Sequence, residues 1–471
     1  APSKGTLRYY GSGQGVSLTD LAPHDIAATG IARTFQNIEL FEHASVLQNL
    51  LIGRHRHQKS GFWQQVFFTK TVREAEITAR RHVESVIELL DLQHYRDTMV
   101  AGLPYGIRKV VELARILAGP WAGQTLSDLG AEVIKVEALQ GDDTRRWGPP
   151  FIEREGDTSA AYFHSCNRGK KSVTIDFRTE DGQAQLKALL ADADILIENF
   201  KVGGLAKYGL DYATLKCEFP ALIYCSVTGF GQTGPYAHRA GYDFIIQGMS
   251  GLMSITGEPG GQPQKSGVAI TDIFTGVYAV SGILAAVFQR QTTGKGQHID
   301  MSLLDVAASV TANQAMNYLA TGDAPGMMGN AHMNLTPYQV FDCADGHIII
   351  ATGNDPQYQR LCLLLGVEEM GVEARFATNA DRIANRDEMT RLLTARTSEI
   401  SKTDLLAACE AHGVPAGPIN DMGEMLDDPQ IKARGMQIKL DGIPSVRSPF
   451  VFSDAELALH RASPKLGEDD T

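Results

Sequence analysis

The chain has 471 residues, 43% of them hydrophobic and 21% charged, with a formal net charge of −12 at pH 7. That length allows two or more domains with sizeable cores, the composition is that of an ordinary soluble globular protein, and the acidic balance argues against a nucleic-acid binder. No apolar run reaches the roughly 18 residues of a membrane span, the N-terminus carries no signal-peptide pattern, and the six cysteines form no Cys-x-x-Cys pair, so a zinc site or disulfide framework is not indicated and a reducing cytoplasm is the expected compartment.

Residues 1–105 read differently from the rest. Gly30-Ile-Ala-Arg-Thr-Phe-Gln-Asn-Ile-Glu-Leu-Phe41 and Ser45-Val-Leu-Gln-Asn-Leu-Leu-Ile-Gly53 precede a charged amphipathic helix expected over 72–92, with Val83, Val86, Ile87 and Leu90 on its apolar face. Together with Leu103-Pro-Tyr-Gly-Ile-Arg-Lys-Val-Val-Glu-Leu-Ala-Arg115, this resembles the Q-loop, helical subdomain and signature loop of an ABC ATPase of the branched-chain amino-acid importer type. No Gly-x-x-x-x-Gly-Lys-Ser/Thr loop occurs, and the apolar strand ending in Asp-Glu is missing, so phosphates have no cradle. Gln36 would have no nucleotide to serve. The piece is expected to be a truncated remnant that takes no ATP and joins no ABC permease.

The join is ambiguous. Gly106 to Leu117 suits a signature helix (Val110, Leu113, Leu117) and equally a buried first strand (Val110, Val111, Leu113, Ile116, Leu117), and periodicity does not arbitrate. We favour the strand, because the sheet downstream otherwise lacks its first member. Trp121 to Leu129 reads as a helix and Glu132–Glu137 as the next strand, a Rossmann-like half without the Gly-x-Gly-x-x-Gly fingerprint, which disfavours a nicotinamide cofactor. Strands at Ser172–Asp176, Ile195–Glu198 and Leu222–Ser226 alternate with helices over 180–191 and 211–218, continuing an α/β sheet.

Next comes Arg239-Ala-Gly-Tyr-Asp-Phe244, then Ser266-Gly-Val-Ala-Ile-Thr-Asp-Ile-Phe-Thr-Gly276. Val277, Val280, Ile283, Leu284 and Val287 follow at helical spacing with Gly276, Ala279, Gly282, Ala285 and Ala286 between them, predicting a buried, closely packed helix ended by Gly294 and Gly296. Asp272 sits at its start, where free N–H groups and the helix dipole favour an anion. Local chemistry leaves two readings open, a helix cap and an ionised nucleophile. Residues 306–332 read as a linker. Pro337 to Thr352 reads as a hairpin with an Asp345-Gly346 turn, and helices over Tyr358–Leu365, Met389–Ile400 and Lys402–His412 complete a smaller α+β domain at 333–418. Residues 419–471 follow the smaller domain.

Ala118-Gly-Pro-Trp-Ala-Gly-Gln124, Asp128-Leu-Gly-Ala-Glu-Val-Ile-Lys-Val-Glu137, Gly141-Asp-Asp-Thr-Arg-Arg-Trp-Gly148, Asn167-Arg-Gly-Lys-Lys-Ser172, Glu198-Asn-Phe200, Val227-Thr-Gly-Phe-Gly-Gln-Thr-Gly-Pro235 and Gly413-Val-Pro-Ala-Gly-Pro418 stand in one order around the Asp272 segment. In this the chain resembles the class III CoA-transferases (the CaiB–BaiF group), most closely members that handle succinyl-CoA and other dicarboxylates. The resemblance implies a Rossmann-like large domain (106–305), to which residues 419–471 return with the helical tail expected after Leu466-Gly467 cut short, and a smaller α+β domain, in an interlocked homodimer. Coenzyme A is then substrate and product, an acyl-CoA and a small carboxylic acid are the partners, and no metal is expected. Asp272 becomes the acylated nucleophile. CoA contacts fall on Ile116, Leu117, Ala118, Ile175, Arg178, Asn199, Phe200, Lys201, Gly204 and Lys207, with Arg178, Lys201 and Lys207 suited to phosphates. Tyr162, Arg239, Tyr242, Asp243, Gly329 and Asn330 become candidates for lining the active site, Arg239 as the partner of a distal carboxylate. Gly329-Asn-Ala-His-Met-Asn334 stands where some members carry a poly-glycine loop. Two rival readings remain: an acyl-CoA racemase of the same fold, which carries a His-Asp pair where this chain has Tyr242-Asp243, and a catalytically dead fusion or ABC-derived interaction module. A fusion of two truncated genes accounts for the two halves.

Overall fold

The computed structural model describes residues 8–9, 16–17, 44–53, 69–89, 96 and 109–470. The chain parts into two compact units, Ala1–Leu103 and Pro104–Thr471. In the first, Arg8–Tyr9 pairs antiparallel with Val16–Ser17. Helices Val46–Gly53 and Lys70–Leu89 meet through Leu47, Val83 and Ile87. Val86, assigned to the apolar face, points outward, and residues 30–41, with Gln36, and Leu90 lie outside the described residues.

Six parallel strands form the central sheet of the second unit. In chain order they are β1 (Lys109–Glu112), β2 (Glu132–Glu137), β3 (Lys171–Thr174), β4 (Ile195–Glu198), β5 (Ile223–Thr228) and β6 (His298–Ser302), and their spatial order is 3-2-1-4-5-6. The ambiguous segment is therefore a strand. Its two adjacent valines suit a position buried on both faces, and β1 pairs Val110 and Val111 with Val133 and Ile134 on one side and Ile195 and Leu196 on the other. Alternation sends Val110 and Val111 to opposite faces. Val110 joins a core with Ile195, Ile197 and Ile223, while Val111 joins Ile134, Leu196 and Tyr224 on the other side.

Helix α1 (Ala118–Asp128) and, after β3, α2 (Glu180–Ala191) cover opposite faces of this sheet. The short helix α3 (Asp243–Met249) leads to α4 (Ile270–Thr293), which Gly294 closes in the left-handed conformation at φ 67°. Helix α4 approaches α1 tightly at Gly276, where a Cβ would meet the Ala118 carbonyl oxygen at 2.8 Å and Trp121 at 3.0 Å. By length and composition α4 could cross a membrane, which corrects the reading that no run is long enough. Its buried residues, among them Thr275, Ala279, Ile283 and Val287, make it a core helix instead. Val277 and Leu284, which the spacing assigned to the buried stripe, are 46% and 44% exposed. Strand β6 was not anticipated, because its alternation is short and begins two residues after Gly296.

Farther along, Tyr338–Cys343 and Gly346–Ala351 make the expected hairpin, and Ala416–Pro418 adds a third antiparallel strand. Tyr358, Leu361, Met389, Leu393 and Leu405 fill a separate core beneath it. The last residues return to the central sheet: Arg145 Nη1 donates to the Pro464 carbonyl (3.2 Å) and the Ser172 N–H to Asp469 (2.9 Å).

Candidate active site

The strand order reverses between β1 and β4, so the loops leaving these strands diverge and open a crevice at their carboxyl ends, where open α/β sheets take ligands. Asn199 staples the two loops together, accepting from Arg115 N–H at 3.0 Å and donating to the Arg115 carbonyl at 2.7 Å. The next residue, Ile116, has φ 75°, a left-handed conformation that a β-branched residue adopts only when its surroundings impose it. Buried charges impose it here. Asp142 accepts from the Ile116 N–H at 3.3 Å, Lys135 Nζ donates to the Ala114 carbonyl at 2.9 Å, and Lys170 Nζ donates to the Pro120 carbonyl at 2.8 Å. Both lysines pair with Glu112, at 3.1 and 2.8 Å. A Cβ at Gly123 would overlap the Glu112 carboxylate, so this glycine makes room for it. Burial alone would lower the Lys135 pKa, but the charges of Asp142 and Glu112 carry it upward. For Lys170 burial prevails and its pKa is lowered. None of these four charged residues was assigned a role from the sequence. Their only signal was membership of the quoted runs.

The predicted CoA contacts divide on this frame. Ile116, Leu117, Asn199, Phe200 and Lys201 lie on the two crevice loops, and Ala118 opens α1. Asn199 already spends its amide on Arg115. Ile175 is buried in the core below β3, and Arg178 grips Asp176 with two bonds at 2.7 and 2.8 Å. The Gly204 N–H turns back to the Lys201 carbonyl at 2.7 Å, and the Lys207 ammonium lies 4.7 Å from the Tyr208 ring centre. Arg115, which was passed over, is an exposed crevice cation 3.5 Å from Asp143 and 5.5 Å from the Phe200 ring centre.

Asp272 occupies the first turn of α4, one turn before the Gly276 contact with Ala118. It is not the cap. The α4 N-cap position is Ala269, whose side chain accepts nothing, and of the first-turn donors those of Thr271 go to Asp243 on α3. Asp243 Oδ1 accepts from the Thr271 N–H at 2.9 Å and the Thr271 hydroxyl at 2.6 Å, and Oδ2 accepts from Gln247 Nε2 at 2.7 Å. The expectation that the helix terminus holds Asp272 ionised is therefore corrected. Burial, then the neighbouring Asp243 charge, push its pKa up to about 7. Tyr162 shares this neighbourhood: burial and the Asp272 charge move its pKa up to about 12, and its ring stands edge-on to Trp147 at 5.3 Å.

Among the described residues, no side chain of the remaining candidates hydrogen-bonds to Asp272. Arg239 is exposed, its guanidinium 4.7 Å from the Tyr236 ring centre, and Tyr242 is 60% exposed just before α3. Gly329 and Asn330 line a cavity of about 440 Å³ with Glu258, Asp342 and His347, and neither Asp272 nor Tyr162 borders it. Thr271 and Gln247 were missed. Gln247 stands four residues after Asp243 on one helix, but nothing in the sequence ties that pair to position 271.

The profile described as CoA-transferase family III matches residues 106–470. A succinate–glutarate CoA-transferase of Agrobacterium fabrum is 56% identical over 371 residues, covering 77% of this chain and 92% of the relative. A succinyl-CoA:glutarate CoA-transferase of Homo sapiens is 40% identical over 369 residues, covering 77% and 83%. The crystal structure of a CAIB/BAIF family protein from Brucella suis superposes with a TM-score of 0.72 at 60% identity, covering 78% of this chain and 97% of that one.

Proposed function

This chain belongs to CoA-transferase family III, an enzyme moving CoA between an acyl-CoA and a carboxylic acid, and we propose that it does so through covalent intermediates on Asp272. The observation that carries this reading is the Asp272 carboxylate: half-buried at the start of α4, it accepts no hydrogen bond among the described residues and stands beside Tyr162. Asp272 attacks the thioester carbonyl, the C–S bond breaks, and CoA leaves as a thiolate from a mixed anhydride. The thiolate then attacks the Asp272 carbonyl and expels the donor carboxylate, leaving an aspartyl-CoA thioester. The acceptor carboxylate displaces CoA to form a second anhydride. Attack of the thiolate on its acyl carbon releases the new acyl-CoA and the free Asp272 carboxylate.

Succinyl-CoA or a similar dicarboxylyl-CoA is the donor we favour, because the names of the relatives at 56% and 40% identity pair succinate with glutarate. Arg239, exposed and without a carboxylate partner among the described residues, suits the distal carboxylate of such an acid. A racemase reading needs a second free base, and both oxygens of Asp243 are engaged. The crevice beside Arg115, Phe200 and Lys201 is our choice for CoA. We further take residues 1–105 as an ABC ATPase remnant fused to the enzyme without a nucleotide role, 106–305 with 419–471 as the large domain, and 333–418 as the small one. The working form is a homodimer, and the six free cysteines suit a reducing cytoplasm. A screen of acyl-CoA donors against carboxylate acceptors, read by mass spectrometry, tests the assignment. Succinyl-CoA with glutarate is expected to exchange fastest, and preference for monocarboxylate pairs would overturn the substrate choice.

A further inference from the structure

We propose that Asp243 is the positioning residue of this site: from α3 it closes the N-terminus of α4 and leaves Asp272 desolvated and without a donor. The proposal rests on the reading of Asp272 as the nucleophile. Asp243 Oδ1 takes both the N–H and the hydroxyl of Thr271, and Oδ2 takes the Gln247 amide. Gln247 Oε1 in turn accepts from the Ser266 N–H at 2.9 Å. This network grips both the approach to α4 and its first turn. A helix terminus ordinarily stabilises one carboxylate, and Asp243 occupies that role from outside the helix. Asp272, the residue after Thr271, is left half-buried beside a like charge. When its oxygen bonds to the acyl carbon and the C–S bond breaks, negative charge leaves Asp272 with the thiolate. Repulsion from Asp243 is thus present in the ground state and relieved as the anhydride forms. The titratable groups facing Asp272 are Asp243 from α3 and Tyr162 from helix Ala161–His164. From α1, Ala118 and Trp121 contribute no charge.

The test is the pH dependence of single-turnover CoA release from succinyl-CoA, with KM, in the full-length chain. In the wild type the rate is expected to rise with pH through about 7. D243N is expected to move that limb down by about one pH unit and to slow the plateau roughly tenfold, with KM changed less than about twofold. In D243N/Q247E the amide donates to the new carboxylate, which still accepts from Ser266, so hydrogen bonds and charge return together. That variant is expected to bring the limb at least half-way back and the plateau within about threefold of wild type. T271V, which removes one donor and keeps the Asp243 charge, is expected to leave the limb within about 0.3 units. A D243N limb that stays at the wild-type pH while activity or melting temperature falls overturns the proposal. If D243N does not fold, a folded double variant with its plateau lost more than about 100-fold does the same. An active D272A variant overturns the nucleophile itself, a separate and separately visible failure.

Discussion

A carboxylate at a helix start is ordinarily a cap, and Asp272 is set apart by having lost that role to another residue. The run around it made Asp272 a candidate in the sequence, but the choice between cap and nucleophile was not legible there. It depends on Asp243 reaching across from a different helix to take the Thr271 donors, and on burial, which with the Asp243 charge raises the Asp272 pKa. Two outcomes belong to this scale. D272A is expected to lower CoA transfer by on the order of 10⁴-fold or more, the scale of losing a covalent nucleophile, and D272N to approach it, as measured by steady-state exchange. The raised pKa also makes a stability prediction. Neutral Asp272 favours the fold, so its contribution is complete below the ordinary carboxylate value of 3.8 and is lost as pH rises through about 7. D272N stays neutral throughout. Its stability advantage should grow from near zero at pH 4 to about 2–4 kcal/mol at pH 8, and denaturant melts at the two pH values measure it. A pH-independent difference would contradict the raised pKa.

Among the elements, β1 shows how far periodicity reaches. Its residues fit a helix and a strand equally well, and the decision came from the sheet's need for a first member, a non-local argument that the register with β2 and β4 supports. The alternating strands and helices from Glu132 to Thr228 were legible because each carries its own local pattern. Strand β6 and Ala416–Pro418 were not, since both are short and take their meaning from the neighbours they pair with. The crevice loop was legible as a motif, but its left-handed Ile116 and the buried Lys135, Lys170 and Asp142 that hold it were not, because the partners lie 20 to 60 positions apart. For β1 the expected outcome is a contrast between two truncations. Removing residues 1–100 should preserve folding and CoA transfer. Removing 1–117 takes away Val110, Val111, Leu113 and Leu117, all buried, at about 1.5–3 kcal/mol each against a typical stability of about 5–15 kcal/mol, and should abolish both. Thermal melts and exchange assays compare them, and equal behaviour would refute the importance given to this strand.

For the whole molecule, the apolar side chains left in water are informative. On α4, Val277, Leu284 and Phe288 are 46%, 44% and 75% exposed, and on helix Ala312–Thr321 Met316 and Leu319 are 61% and 72% exposed. Faces of this kind mark association surfaces, and a second copy of the chain is the partner we propose for the part of the α4 stripe that the single chain leaves exposed. Light scattering should therefore report a dimer, and Phe288→Glu with Leu284→Glu should shift it toward monomer. A stable, active monomer would count against the assembly. The central claim is tested most directly by trapping the intermediate. The full-length protein is mixed with succinyl-CoA, quenched with hydroxylamine, digested and mapped by mass spectrometry. The account predicts a hydroxamate on Asp272 that forms only when the acyl-CoA is present. CoA reaching an acceptor carboxylate with no adduct at Asp272, or with the adduct on another side chain, would contradict it.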